Sequence, residues 1–204
     1  MLERLNKPGF ETISIPDAVA VSYVKEILAH NTAPLVAEIG IGIGATSVAL
    51  CEALANQGAL HLYDFEGRAA DVVKDLEALG FHNVVAYENS RRHWDSYNWQ
   101  LMRRLEENPE PIYDFIYLDG AHTWFHDALA FLLCDRLLKP GGYIHFDDYF
   151  WRLADSKWLL TERDALMTRE QIETRQVELI VKLLVDRDPR YENVRPYKVY
   201  RKRA

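Results

Sequence analysis

Residues 35–57, LVAEIGIGIGATSVALCEALANQ, limit the fold more than any other stretch of this chain. A five-residue apolar run, LVAEI (35–39), leads into glycines at 40, 42 and 44 and then into a stretch with helical character. An apolar run of that length reads as a strand buried on both faces, as in a parallel sheet. Alternate glycines let the backbone turn sharply and approach a ligand without Cβ clashes. The helix start that follows offers free N–H groups and the positive end of its dipole. Gly40, Gly42 and Ala45 also satisfy the dinucleotide pattern G-x-G-x-x-G/A, so the turn alone leaves its ligand open.

The same alternation recurs along the chain and predicts an α/β fold, a Rossmann-like doubly wound, mostly parallel sheet with helices on both faces. An opening helix is expected near Pro16, with Val19, Tyr23 and Ile27 on one face. Strands are expected at 35–39, 59–64, 83–87 and 114–118, and in YIHF (143–146) after a KPGG turn (139–142). Helices are expected after residue 45 with Gly58 as cap, over about 69–79 ending at Gly80, in the Trp- and Arg-rich segment, over about 122–138, and as one long polar helix over 162–186. The β-prone end ENVRPYKVYRKR adds an antiparallel strand or a hairpin, interrupted by Pro196.

The 204 residues fit a single domain: an N-terminal helical segment (1–33), a cofactor- and metal-binding core (34–150), and a lid helix with terminal strand (151–204). A net charge of −7 argues against a general nucleic-acid or anionic-membrane partner. The basic tail KVYRKRA is read as a charged edge strand that discourages aggregation. Cys51 and Cys134 lie in apolar helical stretches without metal or disulfide spacing, as expected in a reducing compartment. MLERLNKPGF has no apolar signal-like run, and no stretch approaches the roughly 18 apolar residues that span a bilayer. A cytoplasmic protein is expected, with a small-molecule partner and a homodimer as the arrangement the 162–186 helix could serve.

Acidic residues end several of these strands. Asp64 lies twenty residues beyond Gly44, where a carboxylate can accept from both ribose hydroxyls; capping the next helix is the alternative, and Glu66 competes for the role. Asn89, after the third strand, is placed to meet an adenine edge or to make an Asx turn. Asp119 ends DFIYLD, and 28 residues later Asp147 and Asp148 end YIHFDD. Neighbouring parallel strands would gather these three carboxylates at one rim, where they would repel without a cation. Hard oxygens with room for water suit Mg²⁺, Mn²⁺ or Ca²⁺. Otherwise Asp148 is a helix N-cap and Asp119 a turn residue.

His122, three residues past Asp119, is a candidate general base, because histidine ordinarily titrates near neutrality. His126 is four residues on, but the glutamate of the zinc-binding helix motif is missing. Tyr149, Phe150, Trp151 and Trp158 could wall an apolar or sugar-like acceptor, or simply pack.

Together AEIGIGIG, LYDFEG, YDFIYLDGAH and LKPGGYIHFDDY resemble class I S-adenosylmethionine-dependent methyltransferases, over roughly residues 35–150. The last two blocks resemble the macrocin O-methyltransferase group, and also catechol-type O-methyltransferases. The resemblance implies that Glu38 to Gly44 cradle the methionine part of the cofactor. It implies Asp64 on the ribose, Asn89 and Ser90 near the adenine, and Asp119, Asp147 and Asp148 as metal ligands, Asp119 also bordering cofactor and reacting groups. Catechol-type enzymes carry a lysine base where this chain has His122, and some sugar relatives an aspartate where it has Ala121. The expected activity is metal-assisted O-methylation of a catechol-like or sugar diol. The alternatives are metal-free O- or N-methylation and a nicotinamide-dependent oxidoreductase.

Overall fold

The computed structural model describes residues 1–156 and 163–204. Helix α1 (Ala18–Leu28) starts at Asp17, whose side chain accepts from the Ala20 amide. Then follow β1 (Leu35–Ile39), α2 (Ala45–Leu54), β2 (Ala59–Phe65), α3 (Arg68–Ala78), β3 (Val84–Asn89), α4 (Tyr97–Glu107), β4 (Tyr113–Leu118), α5 (Trp124–Leu137) and β5 (Leu138–Phe146). Short helices α6 (Arg163–Leu166), α7 (Arg169–Glu173) and α8 (Gln176–Ile180) precede the hairpin β6 (Tyr191–Arg195) and β7 (Val199–Lys202). The strands form one sheet in the order β3-β2-β1-β4-β5-β7-β6. The five strands from β3 to β5 are parallel, and β7 runs antiparallel to β5 and to β6. This is the expected Rossmann-like architecture.

Side chains alternate between two cores, as strand geometry requires. Val36, Leu60, Leu62 and Phe115 meet α1, α2 and α3 through residues such as Val24, Leu50 and Val72. Ala37, Ile39, Ile116, Ile144 and Phe146 meet α4, α5 and α8 through Leu101, Phe131 and Ile180. Cys51 and Cys134 are buried free thiols, one in each core.

Three expectations change. The single helix over 162–186 is instead several short pieces: extended Thr168 and Thr174 interrupt it, and a π-helical turn, Val181–Val185, follows α8. The single long helix that could serve a dimer is therefore absent among the described residues. The KPGG segment lies within β5, as a bulge. Pairing jumps from Tyr113↔Leu138 to Phe115↔Tyr143, Gly141 turns at φ +84°, and Lys139 Nζ reaches the Asp114 carboxylate at 2.9 Å. The terminal strand β7 is enclosed between β5 and β6, so it is not the edge. The role of outer strand falls to β6, whose residues after Tyr191 are exposed.

Sheet order reverses direction between β1 and β4, the topological switch point where open α/β sheets bind ligands beyond the strands' carboxyl ends. Among the described helices none is long and apolar enough to cross a membrane.

Candidate active site

A cavity of about 740 Å³ lies at these carboxyl ends. Its floor is the β1–α2 turn. Gly40, at φ +81°, lets this turn press on the end of β4, since a Cβ there would sit 1.9 Å from the Asp119 carbonyl oxygen. Gly42 lines the cavity at φ +53°, with open space where a Cβ would project. Gly44 does different work from that expected. It precedes α2 at φ +93°, away from the cavity lining, where a Cβ would strike Leu2 at 2.6 Å and crowd Val72.

Glu38 is buried beneath this floor and accepts from the Ser47 hydroxyl at 2.7 Å. Burial pushes its carboxyl up to about 8. Asp64, at the end of β2, accepts from the Ile41 amide at 3.0 Å and the Phe65 amide at 2.6 Å, with Arg68 3.4 Å away. It thus anchors the glycine turn while lining the cavity, and a carboxylate retains acceptor capacity beyond those bonds. Asn89 ends β3, buried and lining the cavity; its Oδ1 has no hydrogen-bond partner, while Nδ2 donates to the Ser90 carbonyl. Ser90 instead commits both its amide and its hydroxyl to Asp95, at 2.7 Å each, and does not line the cavity.

The rim carries the three aspartates, unevenly placed. His122 Nε2 lies 3.6 Å from Asp119 Oδ1 and 3.4 Å from Asp148 Oδ2. His122 (φ +54°) and Asp148 (φ +53°) both hold left-handed backbones, a strained choice for residues with a Cβ and one that clusters at functional sites. His122 precedes α5, whose N-cap is Thr123, and the edge of its ring meets Trp151. Asp147 faces the other way: its Oδ2 accepts from the Tyr117 hydroxyl at 2.8 Å and its Oδ1 lies 3.5 Å from Lys198 Nζ. Lys198 also approaches Asp17 Oδ2 at 3.2 Å. Asp148 caps none of the described helices; its carbonyl accepts from the Trp151 amide in a turn.

Burial, and then Asp147 and Asp148 alongside, raises the Asp119 carboxyl well above the usual range. Asp148 is raised too, chiefly by burial, with His122 opposing. Burial also works against an ionised Asp147, but Tyr117, Lys198 and His145 outweigh it and hold that carboxyl low.

Oxygen donors from Asp119 and Asp148 with the His122 nitrogen lie within 4.8 Å of one another, a set that fits a small divalent ion. Asp17, His145 and Asp147 form a second such group.

Among the described residues of the expected aromatic wall, Tyr149 is buried against Phe150 and Tyr197, and Trp151 approaches a rim side chain, that of His122. Trp158 lies outside the described residues. His126 lines the cavity with Nδ1 2.9 Å from the Thr123 hydroxyl, a position closer to the site than its sequence context indicated.

Other contributors carried little sequence signal. Thr12, Ile13, Ile15 and Pro16 line the cavity from the N-terminal segment. Tyr97 donates to Asp127, and the Ala121 amide donates to the Tyr97 hydroxyl at 3.1 Å, which ties the 119–122 loop to α4 and α5. Gly120 admits this pair, since a Cβ there would meet both side chains at 2.5 Å. Lys198 arrives from the C-terminal hairpin. Its one sequence signal is its place in the basic tail KVYRKRA, whose expected role is that of a charged edge strand.

Comparison with known proteins gives the fold and the family. No curated protein matches the chain. Among solved structures it is similar to the O-methyltransferase TomG of Streptomyces achromogenes, involved in tomaymycin synthesis and solved with SAM (18% identity, TM-score 0.53, covering 85% of this chain and 71% of that one). It is similar to an O-methyltransferase of Bacillus cereus solved with SAH (17%, 0.57, 89% and 76%). A Corynebacterium glutamicum protein is similar over 96% of this chain and 86% of its own, at 15% identity and TM-score 0.63. At these identities the likeness establishes a shared fold. The family follows from the sequence: residues 37–149, more than half the chain and the span from β1 to the aspartates of the rim, match the family model described as a methyltransferase domain. The chain belongs to that methyltransferase family.

Proposed function

We propose that this protein transfers a methyl group from S-adenosylmethionine to a hydroxyl of a small molecule, a catechol-like or sugar vicinal diol, with the help of a divalent cation. The observation that carries this reading is His122 between Asp119 and Asp148, at 3.6 and 3.4 Å, on the rim of the cavity that Glu38, Gly40, Gly42, Asp64 and Asn89 also line. The likeness to O-methyltransferases solved with SAM and SAH supports it.

The cofactor, when bound, supplies an electrophilic methyl on a cationic sulfur. Asp64 is assigned to the ribose hydroxyls and the unpartnered Asn89 Oδ1 to an adenine N–H. Gly42 leaves room for the cofactor's methionine end above the turn, with Glu38 below it. Asp119, Asp148 and Asp147 are assigned to a Mg²⁺-like ion, which when bound supplies Lewis acidity to an acceptor hydroxyl. His122 Nε2, left out of the ion's ligands in this reading, takes the hydroxyl proton as general base. The walls contribute by holding acceptor and donor at reacting distance, an effect worth up to about 7–11 kcal/mol in favourable cases.

Treatment with EDTA, with turnover followed on catechol and sugar-diol acceptors and S-adenosylhomocysteine binding followed by calorimetry, tests both halves. Turnover should disappear while S-adenosylhomocysteine still binds. Full turnover in EDTA would leave metal-free methylation, a reading favoured by the ammonium that Lys198 already supplies to Asp147. Tight binding of NAD in place of S-adenosylhomocysteine would overturn the cofactor assignment.

A further inference from the structure

Asp147 is the rim carboxylate that meets a lysine: its Oδ2 accepts from the Tyr117 hydroxyl at 2.8 Å and its Oδ1 lies 3.5 Å from Lys198 Nζ. The same ammonium lies 3.2 Å from Asp17 Oδ2 at the head of α1. It therefore stands among donors suited to a divalent ion, since ligand atoms of Asp17, His145 and Asp147 lie within 4.8 Å of one another. His145 is an independent sign of a ligand position. It is 0% exposed, neither ring nitrogen has a hydrogen-bond partner, and Nδ1 lies 3.7 Å from Asp17 Oδ1. Buried polar groups without partners are uncommon and call for an explanation.

We propose that Lys198 is a resident cation of the rim that competes with a divalent ion for Asp147. The inference rests on the metal-assisted reading above. A divalent ion held by Asp119 and Asp148 would draw on Asp147, and an ammonium 3.5 Å from that carboxylate would repel it at short range. The lysine can yield, because it is 37% exposed and its long stem can carry the charge into water. Its departure would also leave Asp17 Oδ2, at the head of α1 and on the cavity lining, without its cation. Lys198 would thus weaken metal binding and link metal loading to the cavity wall.

The test is titration of the full chain with Mn²⁺ alone, followed by calorimetry or electron paramagnetic resonance, in wild type, Lys198→Met and Lys198→Arg. Lys198→Met should bind Mn²⁺ about tenfold more tightly, as expected for loss of one nearby cation at a partly exposed site, and Lys198→Arg should stay near wild type. Acetylation footprinting of the wild type gives a second readout that needs no variant. Mn²⁺ should increase labelling of Lys198 and leave Lys202, held by Asp135, unchanged. Equal Mn²⁺ affinity in wild type and Lys198→Met, or weaker binding in the variant, would overturn the competition and leave the metal reading intact. So would unchanged labelling of Lys198 in protein shown to bind Mn²⁺. Failure of every form to bind Mn²⁺ would overturn both.

Discussion

His122 and Asp148 meet at 3.4 Å with each in a left-handed backbone, and that geometry makes specific demands on substitution. His122→Gln should lower kcat by about 10²–10⁴, the usual worth of a general base, while S-adenosylhomocysteine affinity stays within about twofold. A parallel loss of affinity would make His122 a binding residue instead. The glycines of the floor should separate in the same way. Gly40→Ala should cost at least about 2 kcal/mol of stability in chemical denaturation, since its methyl meets the Asp119 carbonyl at φ +81°. Gly42→Ala has open space on the cavity side, so it should fold with only modest strain and lose about tenfold, or 1.4 kcal/mol, in S-adenosylhomocysteine affinity.

Elements act here through what they hold in place. The loop from Asp119 to His122 is short, and α4 and α5 position it through the Tyr97–Asp127 pair and the Ala121 amide. Burial raises the Asp127 carboxyl, with the Tyr97 hydrogen bond opposing. Tyr97→Phe removes the hydroxyl and leaves a buried acceptor short of a donor, at a cost of about 1–3 kcal/mol. Its kcat should fall with the stability, because the loop bearing His122 loses an anchor. A variant destabilised to that extent with unchanged kcat would show that the loop holds its own shape. The C-terminal hairpin works at the same scale: pairing of β7 with β5 brings the turn that precedes β7, and with it Lys198, to the rim.

For the whole molecule, the buried titratable groups oppose one another. His61, hydrogen-bonded to the Tyr113 hydroxyl at 2.8 Å, and His145 are both pushed down to about 4 by burial. Their unfolded forms bind more protons than their folded forms between about pH 4 and 6.5, so their stabilisation is complete above 6.5 and lost as pH falls toward 4. Glu38, raised to about 8, has the opposite sign: the unfolded chain releases its proton first, so stability declines as pH rises from about 4.5 to 8. Below pH 6.5 these effects offset, and above it the raised carboxyls act alone, Glu38 together with Asp119. The ligand-free protein should accordingly show a lower thermal midpoint at pH 8 than at pH 6.5. Glu38→Gln, which can still accept from Ser47, should remove much of that decline. An equally steep decline in the variant would place the titrating group elsewhere.

Much of the architecture was legible because its signals are local. An apolar strand followed by spaced glycines and a helix is recognisable within about twenty residues, and strand ends place Asp64, Asn89, Asp119 and Asp147 by their period alone. Cooperation among distant segments was not legible. Which carboxylate faces His122, why Gly44 packs on Leu2, and why the terminal strand lies inside the sheet all depend on neighbours far along the chain. The sequence by itself determined the family, the alternation of elements and the gathering of acids at one rim. Only the tertiary structure decided how those acids divide, Asp119 and Asp148 toward His122, Asp147 toward Tyr117 and Lys198. The physical reason is range: periodicity and turn chemistry act over a few residues, whereas a charge finds its partner through strand register and backbone handedness, with Lys198 meeting Asp17 across 181 positions.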